Sequence, residues 1–267
     1  MQPYSLRKRK SMKNLLLTTV AVFSMAGAAF AGPVVSGEVS LDFAETAAGD
    51  WGGAMGLDLG IDAGDLATVS LGFSATDGNS VTLDNWTVGT TVGSIGVAIG
   101  DDNGVFVGAE DGATLADPAM AESVKVSVGD AAVAVGFTDW TADVTDISNI
   151  QGAYSLSMGG LSVTASGDYN LTSENILVGA SVGGFAIGAA ALSGAVTYDV
   201  DAELFAFEGV MNAMGMTAYV NGDQNDAFQN VGGSYDYALG GATLSAGANY
   251  NVDAEEFAPT VGISFAF

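Results

Sequence analysis

The ionisable side chains this chain offers in greatest number are carboxylates. It carries 31 Asp and Glu, no His and no Cys. Without imidazole or thiolate, the usual general base, soft metal ligand and disulfide are all missing. Carboxylates can still attract cations, hold hard ones or bias the path of an ion. They are spread along the whole chain, no pair stands out as an acid/base couple, and the expectation is a protein that is not an enzyme. Two groups, Asp199-Asp201-Glu203 and Asp139-Asp143-Asp146, resemble oxygen-rich cation ligands. Neither has the Gly an EF-hand requires at its sixth position. Loop-bound Ca2+ is the one cofactor left open, solvated acidic loops are the plainer reading, and no metal site is firm.

The few cations are as unevenly placed as the acids are abundant. Arg7, Lys8, Arg9, Lys10 and Lys13 precede an apolar run over residues 15–25, and Ala29-Phe30-Ala31 follows as a small-x-small site. Residues 1–31 are thus predicted to be a signal peptide cleaved near Ala31, with Met12 as an alternative start, and residues 32–267 form one domain. Cleavage leaves Lys125 as the sole basic residue against 31 acids, a net charge of −30. Nucleic acid is excluded as a partner by that charge, and cations are favoured.

The elements that must position these carboxylates announce themselves by alternation. In the last eleven residues, Phe257, Pro259, Val261, Ile263, Phe265 and Phe267 fall on one parity, and Ala258, Thr260, Gly262, Ser264 and Ala266 on the other. Period two makes this a strand with one apolar and one small or polar face, about the length that crosses a bilayer at a tilt. The same pattern runs through Val35–Phe43, Met55–Ile61, Leu161–Tyr169 and Leu244–Tyr250. Seven Gly-bearing tight turns are predicted at 63–65, 92–94, 129–130, 159–160, 183–184, 212–215 and 240–241. Eight acidic, longer loops at 45–50, 76–79, 101–121, 140–146, 171–173, 193–201, 223–227 and 253–255 interleave with them. Together they join sixteen strands of an all-β, antiparallel transmembrane barrel, with the strands near 80–91 and 202–211 alternating least cleanly.

On such a wall Glu38, Asp42, Asp58, Asp62, Asp168, Glu208 and Asp236 take the polar parity and are predicted to line the lumen. Unpaired carboxylates stay ionised only when hydrated, so the lumen should hold water. Phe43, Trp51, Phe137, Trp140, Tyr169, Tyr219, Phe228, Tyr250 and Phe257 cluster toward the loop rim, and Phe185, Tyr237 and Phe267 toward the other. They are read as girdles at the two lipid interfaces.

The longest connection, residues 101–121, follows the fifth strand and opens with Gly100-Asp101-Asp102-Asn103-Gly104. Sixteen strands, a long third loop with this opening and a final Phe267 together resemble the general porins of Gram-negative bacteria, closest to the α-proteobacterial, Rhodobacter-like ones. The resemblance spans residues 32–267. It implies a passive outer-membrane diffusion pore, a third loop folded into the lumen as a constriction, a homotrimer, and Phe267 as the terminal assembly signal. Carried over residue by residue, Asp101, Asp102, Glu110, Asp111, Asp117 and Glu122 become the constriction acids. That family usually opposes them with arginines, and here no arginine follows Arg9. Lys125, on the parity of Ser123 and Ser127, is the single cation left for the constriction. The expected partners are therefore outer-membrane lipid, small hydrophilic solutes and cations. Two rivals stay open, a structural or adhesive surface β-protein without an open pore and a substrate-specific channel.

Overall fold

The computed structural model describes residues 34–45, 51–63, 67–76, 80–101, 103–109, 118, 120, 122–138, 146–225 and 228–267. The predicted signal segment, Asp102, Glu110, Asp111, Asp117, Asp139, Trp140 and Asp143 lie outside them. Sixteen strands follow in order. The first five are β1 (Val34–Glu45), β2 (Trp51–Asp62), β3 (Thr68–Thr76), β4 (Thr82–Val92) and β5 (Ile95–Gly100). After the long loop come β6 (Glu122–Val128), β7 (Ala131–Phe137), β8 (Ile147–Met158), β9 (Leu161–Asn170), β10 (Ile176–Ile187) and β11 (Ala190–Asp199). The chain then forms β12 (Leu204–Ala213), β13 (Met216–Asp223), β14 (Asn230–Ala238), β15 (Ala242–Asn251) and β16 (Glu256–Ala266). Each strand pairs antiparallel with its sequence neighbours, and β16 returns to β1 to close the barrel.

Closure satisfies every edge. The register of the seam runs from Glu38 opposite Ala266 to Ala44 opposite Thr260. It is extended by Gly37 N–H donating to the Phe267 carbonyl at 3.1 Å and Phe267 N–H to the Gly37 carbonyl at 2.9 Å. A sheet without free edges has no row of unpaired amides for another chain to extend. Gly37 is required at the seam, because a Cβ there would run into the Asp58 carbonyl oxygen and the Phe267 ring.

The two faces separate as the alternation demands. Val126 and Val128, Val133, Val163, Val196, Tyr235 and Val261 all stand exposed on one face, at 39 to 50%. The opposite parity carries the buried polar set, including Asn149, Gln151, Ser166, Asp168, Thr197 and Asn221. That inversion, greasy residues out and polar residues buried, is the reverse of a soluble sandwich.

Three bulges interrupt the alternation, one of them in the ragged stretch at 80–91, whereas β12 in the stretch at 202–211 pairs without a register shift. Asp84 is the extra residue between β3 and β4, where Gly72 pairs Asn85 while Phe73 pairs Leu83. Leu83 before it and Val88 after it therefore share the apolar face despite opposite parity. Ser148 plays the same part where Gly136 pairs Asn149 and Phe137 pairs Ile147. The third bulge corrects a predicted turn. Gly183-Gly184 lies inside β10, where the register shifts between Val182 and Phe185, and Gly184 takes a φ of 77°. The chain reverses four residues after Gly184, at Gly188 (φ 62°), so Phe185 and Ile187 belong to β10. Likewise the predicted loop at 193–201 shrinks to residues 200–203, because β11 continues through Asp199.

Candidate functional site

The site is where the third long connection meets the polar face. Its described part, residues 103–109, is tied to three strands by side chains that reach backbone groups. Gln151 Oε1, on β8, accepts from Val105 N–H at 2.8 Å and Phe106 N–H at 3.0 Å. Gln151 Nε2 donates to the Pro118 carbonyl at 3.0 Å. On β9, Ser166 Oγ accepts from Val107 N–H at 3.0 Å and is placed to donate to the Val107 carbonyl at 2.7 Å. On β11, Thr197 Oγ1 accepts from Ala109 N–H at 2.9 Å. A loop cannot bury its backbone without such partners, and these side chains supply them.

Apolar packing adds to the hydrogen bonds. Ala109, Leu177 of β10 and Ala206 of β12 form a small buried cluster with Phe106 and Leu204 packed against it. Leu177, Leu204 and Ala206 sit on the parity of Gly179, Thr197 and Glu208, the otherwise polar face. Gly179 leaves the opening through which the loop passes. A Cβ there would strike the Val107 carbonyl oxygen, with the Phe106 ring 2.9 Å away. The segment thus lies against five consecutive strands, β8 to β12.

None of these anchors was among the predicted site residues, although a signal for them existed. Ile176-Leu177-Val178 and Leu204-Phe205-Ala206-Phe207 break the apolar–polar alternation. An apolar residue on a polar face signals that something covers it, and here the cover is the loop.

The predicted acids are distributed unevenly. Asp101 leaves β5 with its N–H donating to the Trp86 carbonyl at 2.8 Å. Burial raises its pKa above the ordinary carboxylate value, the charge of Glu122 raises it further, and a Trp86 hydrogen bond opposes both. Those two acids are therefore brought together. Glu122 opens β6 opposite Phe137 and shares the parity of Val124 and Val126, the apolar face. Lys125 stands on the polar parity between Ser123 and Ser127, with Ala98 and Ala134 as its cross-strand partners.

Glu38, Asp42, Asp58, Asp62, Glu208 and Asp236 all take the polar parity, and Glu38 lies directly opposite Asp58. Like charges at that spacing repel unless water or cations screen them. Asp168 differs. It shares the polar parity but is only 3% exposed, and its Oδ1 accepts from Asn149 Nδ2 at 2.9 Å, which makes it part of the wall beneath the loop. Tyr219, expected in the rim girdle, sits instead on the polar parity opposite Gly232. It can do so because Gly232 has no side chain, and a Cβ there would overlap the Tyr219 ring.

In the acidic loop read as a Ca2+ ligand set, Asp199 and Asp201 each use a carboxylate oxygen on backbone N–H groups. Asp199 Oδ1 accepts from the N–H groups of Asp201 and Ala202 at 3.0 and 2.8 Å, and Asp201 Oδ2 from Ile176 N–H at 3.1 Å. Among the described residues no three His, Cys, Asp or Glu converge as metal ligands.

A closed sixteen-strand antiparallel barrel with an apolar outer parity and a long third connection has counterparts among solved structures. The chain is similar to a mutant of the Rh. blastica porin, at 12% identity and a TM-score of 0.61, over 88% of this chain and 100% of that one. It is also similar to the trimer form of OmpT, an outer-membrane protein of Vibrio cholerae, at 13% identity and a TM-score of 0.51, over 88% and 99%. An anion-selective porin from Comamonas acidovorans matches at 14% and 0.52, over 88% and 99%. No protein family and no curated protein matches the sequence. The fold is that of the porins.

Proposed function

We propose that this protein is a passive pore of a Gram-negative outer membrane, exported by residues 1–31. Its apolar face meets lipid, its polar face lines a water-filled lumen, and the third loop narrows that lumen. The observation that carries the reading is the docking of residues 103–109 against the polar side chains of Gln151, Ser166 and Thr197. A loop held on that side of a closed cylinder occupies part of its cross-section. Small hydrophilic solutes then pass by size, and ions by size and charge.

Cations are the favoured ions. With Glu38, Asp42, Asp58, Asp62, Glu208 and Asp236 on the polar parity and one lysine left after signal cleavage, the lining repels anions. The anion-selective porin among the similar structures shares the fold at 14% identity, so ion preference is a matter of side chains and not of the barrel. A homotrimer accords with the trimer form of the Vibrio cholerae protein. Planar-bilayer reversal potentials test the charge argument, with K+ expected over Cl−, and an anion preference refutes it. Deleting residues 103–119 should raise single-channel conductance, and an unchanged conductance would place that loop outside the conduction path.

A further inference from the structure

A second feature of the polar face lies at Lys125. A cavity of about 500 Å³ opens beside it, lined by Thr68, Thr91, Ser127 and the backbone around Gly89 and Gly96. The space exists because residues there are small. A Cβ at Gly96 would meet Ser127 Oγ at 2.5 Å, and one at Gly89 would meet Thr68 Oγ1 at 3.0 Å. Ala98, opposite Lys125 in the register, adds only a methyl group. Gly93, in the β4–β5 turn, also lines it, so the cavity extends toward the short-turn rim.

We propose that this cavity is a subsite for the carboxylate of small zwitterionic solutes of the amino-acid type, a reading that rests on the lumen being open to solutes. An ammonium on a flexible stem, in a cavity that also presents hydroxyls able to donate, is a receptor for an oxyanion. The surrounding wall then restricts which oxyanion arrives. Asp62 is the cross-strand partner of Thr68, one strand spacing beyond the cavity wall, and Asp58 follows on the same face of β2. A net anion is repelled by these acids and by the lining as a whole. A zwitterion is not. Its carboxylate meets Lys125 and the cavity hydroxyls, and its ammonium offsets the repulsion of the β2 carboxylates, which lie four strands from Lys125. The pairing of the chain's single mature cation with a cavity is what separates this subsite from the rest of the polar face.

The test uses the full mature chain in planar bilayers, with K+ current recorded while glycine is titrated in. Wild type should show a saturable partial block, and glycerol at equal concentration only a linear loss. Lys125→Gln should raise the half-blocking glycine concentration by about fivefold, the scale of one charge contact in a hydrated site. Lys125→Arg should retain the block. Ala98→Ile, which narrows the cavity beside the lysine and keeps the lysine itself, should weaken it as Lys125→Gln does. Equal block in wild type and Lys125→Gln overturns the subsite while leaving the pore intact. Absence of any KCl current overturns the pore itself, and the subsite with it.

Discussion

Gln151 is the side chain on which the position of the third loop most depends. It is 1% exposed and makes three of the six hydrogen bonds that hold the described part of the loop and Pro118 to the wall. Gln151→Ala removes all three together. At about 1 kcal/mol each, the loop loses about 3 kcal/mol of docking free energy. Its undocked fraction then rises about 10²-fold. The strand itself keeps its ladder to β7 and β9, since backbone pairing at position 151 does not involve the side chain. The expected phenotype is therefore a wider, noisier channel in a barrel of nearly unchanged resistance to unfolding in detergent. Single-channel recording reads the first and heat-dependent gel mobility the second. Gly179→Val supplies an independent approach. Valine favours a strand, yet its Cβ would displace the Val107 carbonyl, so conductance should rise without loss of the barrel. If both variants conduct like wild type, the docked loop does not limit the current and the reasoning fails.

Two further outcomes follow from local chemistry. Asp101 has a raised pKa in the folded state, so the native protein binds its proton more readily than the unfolded chain, and stability falls as pH rises through the raised value. Asp101→Asn should accordingly protect the β5–loop junction against proteolysis at neutral pH and lose that advantage once pH falls below the ordinary Asp value of 3.8; protection independent of pH would show that burial and the Glu122 charge are not its cause. Gly37→Val should cost about 1–3 kcal/mol by overpacking the seam against the Asp58 carbonyl and the Phe267 ring. Folding yield in detergent micelles measures this, and a wild-type yield would mean that the seam relaxes freely around position 37.

Much of this architecture is written locally. Side chains one residue apart on a strand point to opposite faces, so an apolar–polar period of two in β1, β2, β9, β15 and β16 declares both the strand and its inner and outer sides. Turn and loop residues declare the connections, and sixteen strands follow from their count. The carboxylates on the polar parity are legible for the same reason.

What the sequence alone did not determine depends on partners distant along the chain. Asp84, Ser148 and Gly183-Gly184 become bulges only through the register of the strand beside them, so Gly183-Gly184 reads locally like a turn. Tyr219 faces the polar side because Gly232, thirteen residues on, leaves it room. The loop anchors bridge 33 to 88 residues of sequence, and an isolated Gln, Ser or Thr carries no mark of the backbone group it will bond. Tertiary structure decided these because a buried backbone amide takes whichever oxygen the closed barrel brings within 3 Å, and only closure settles which one that is.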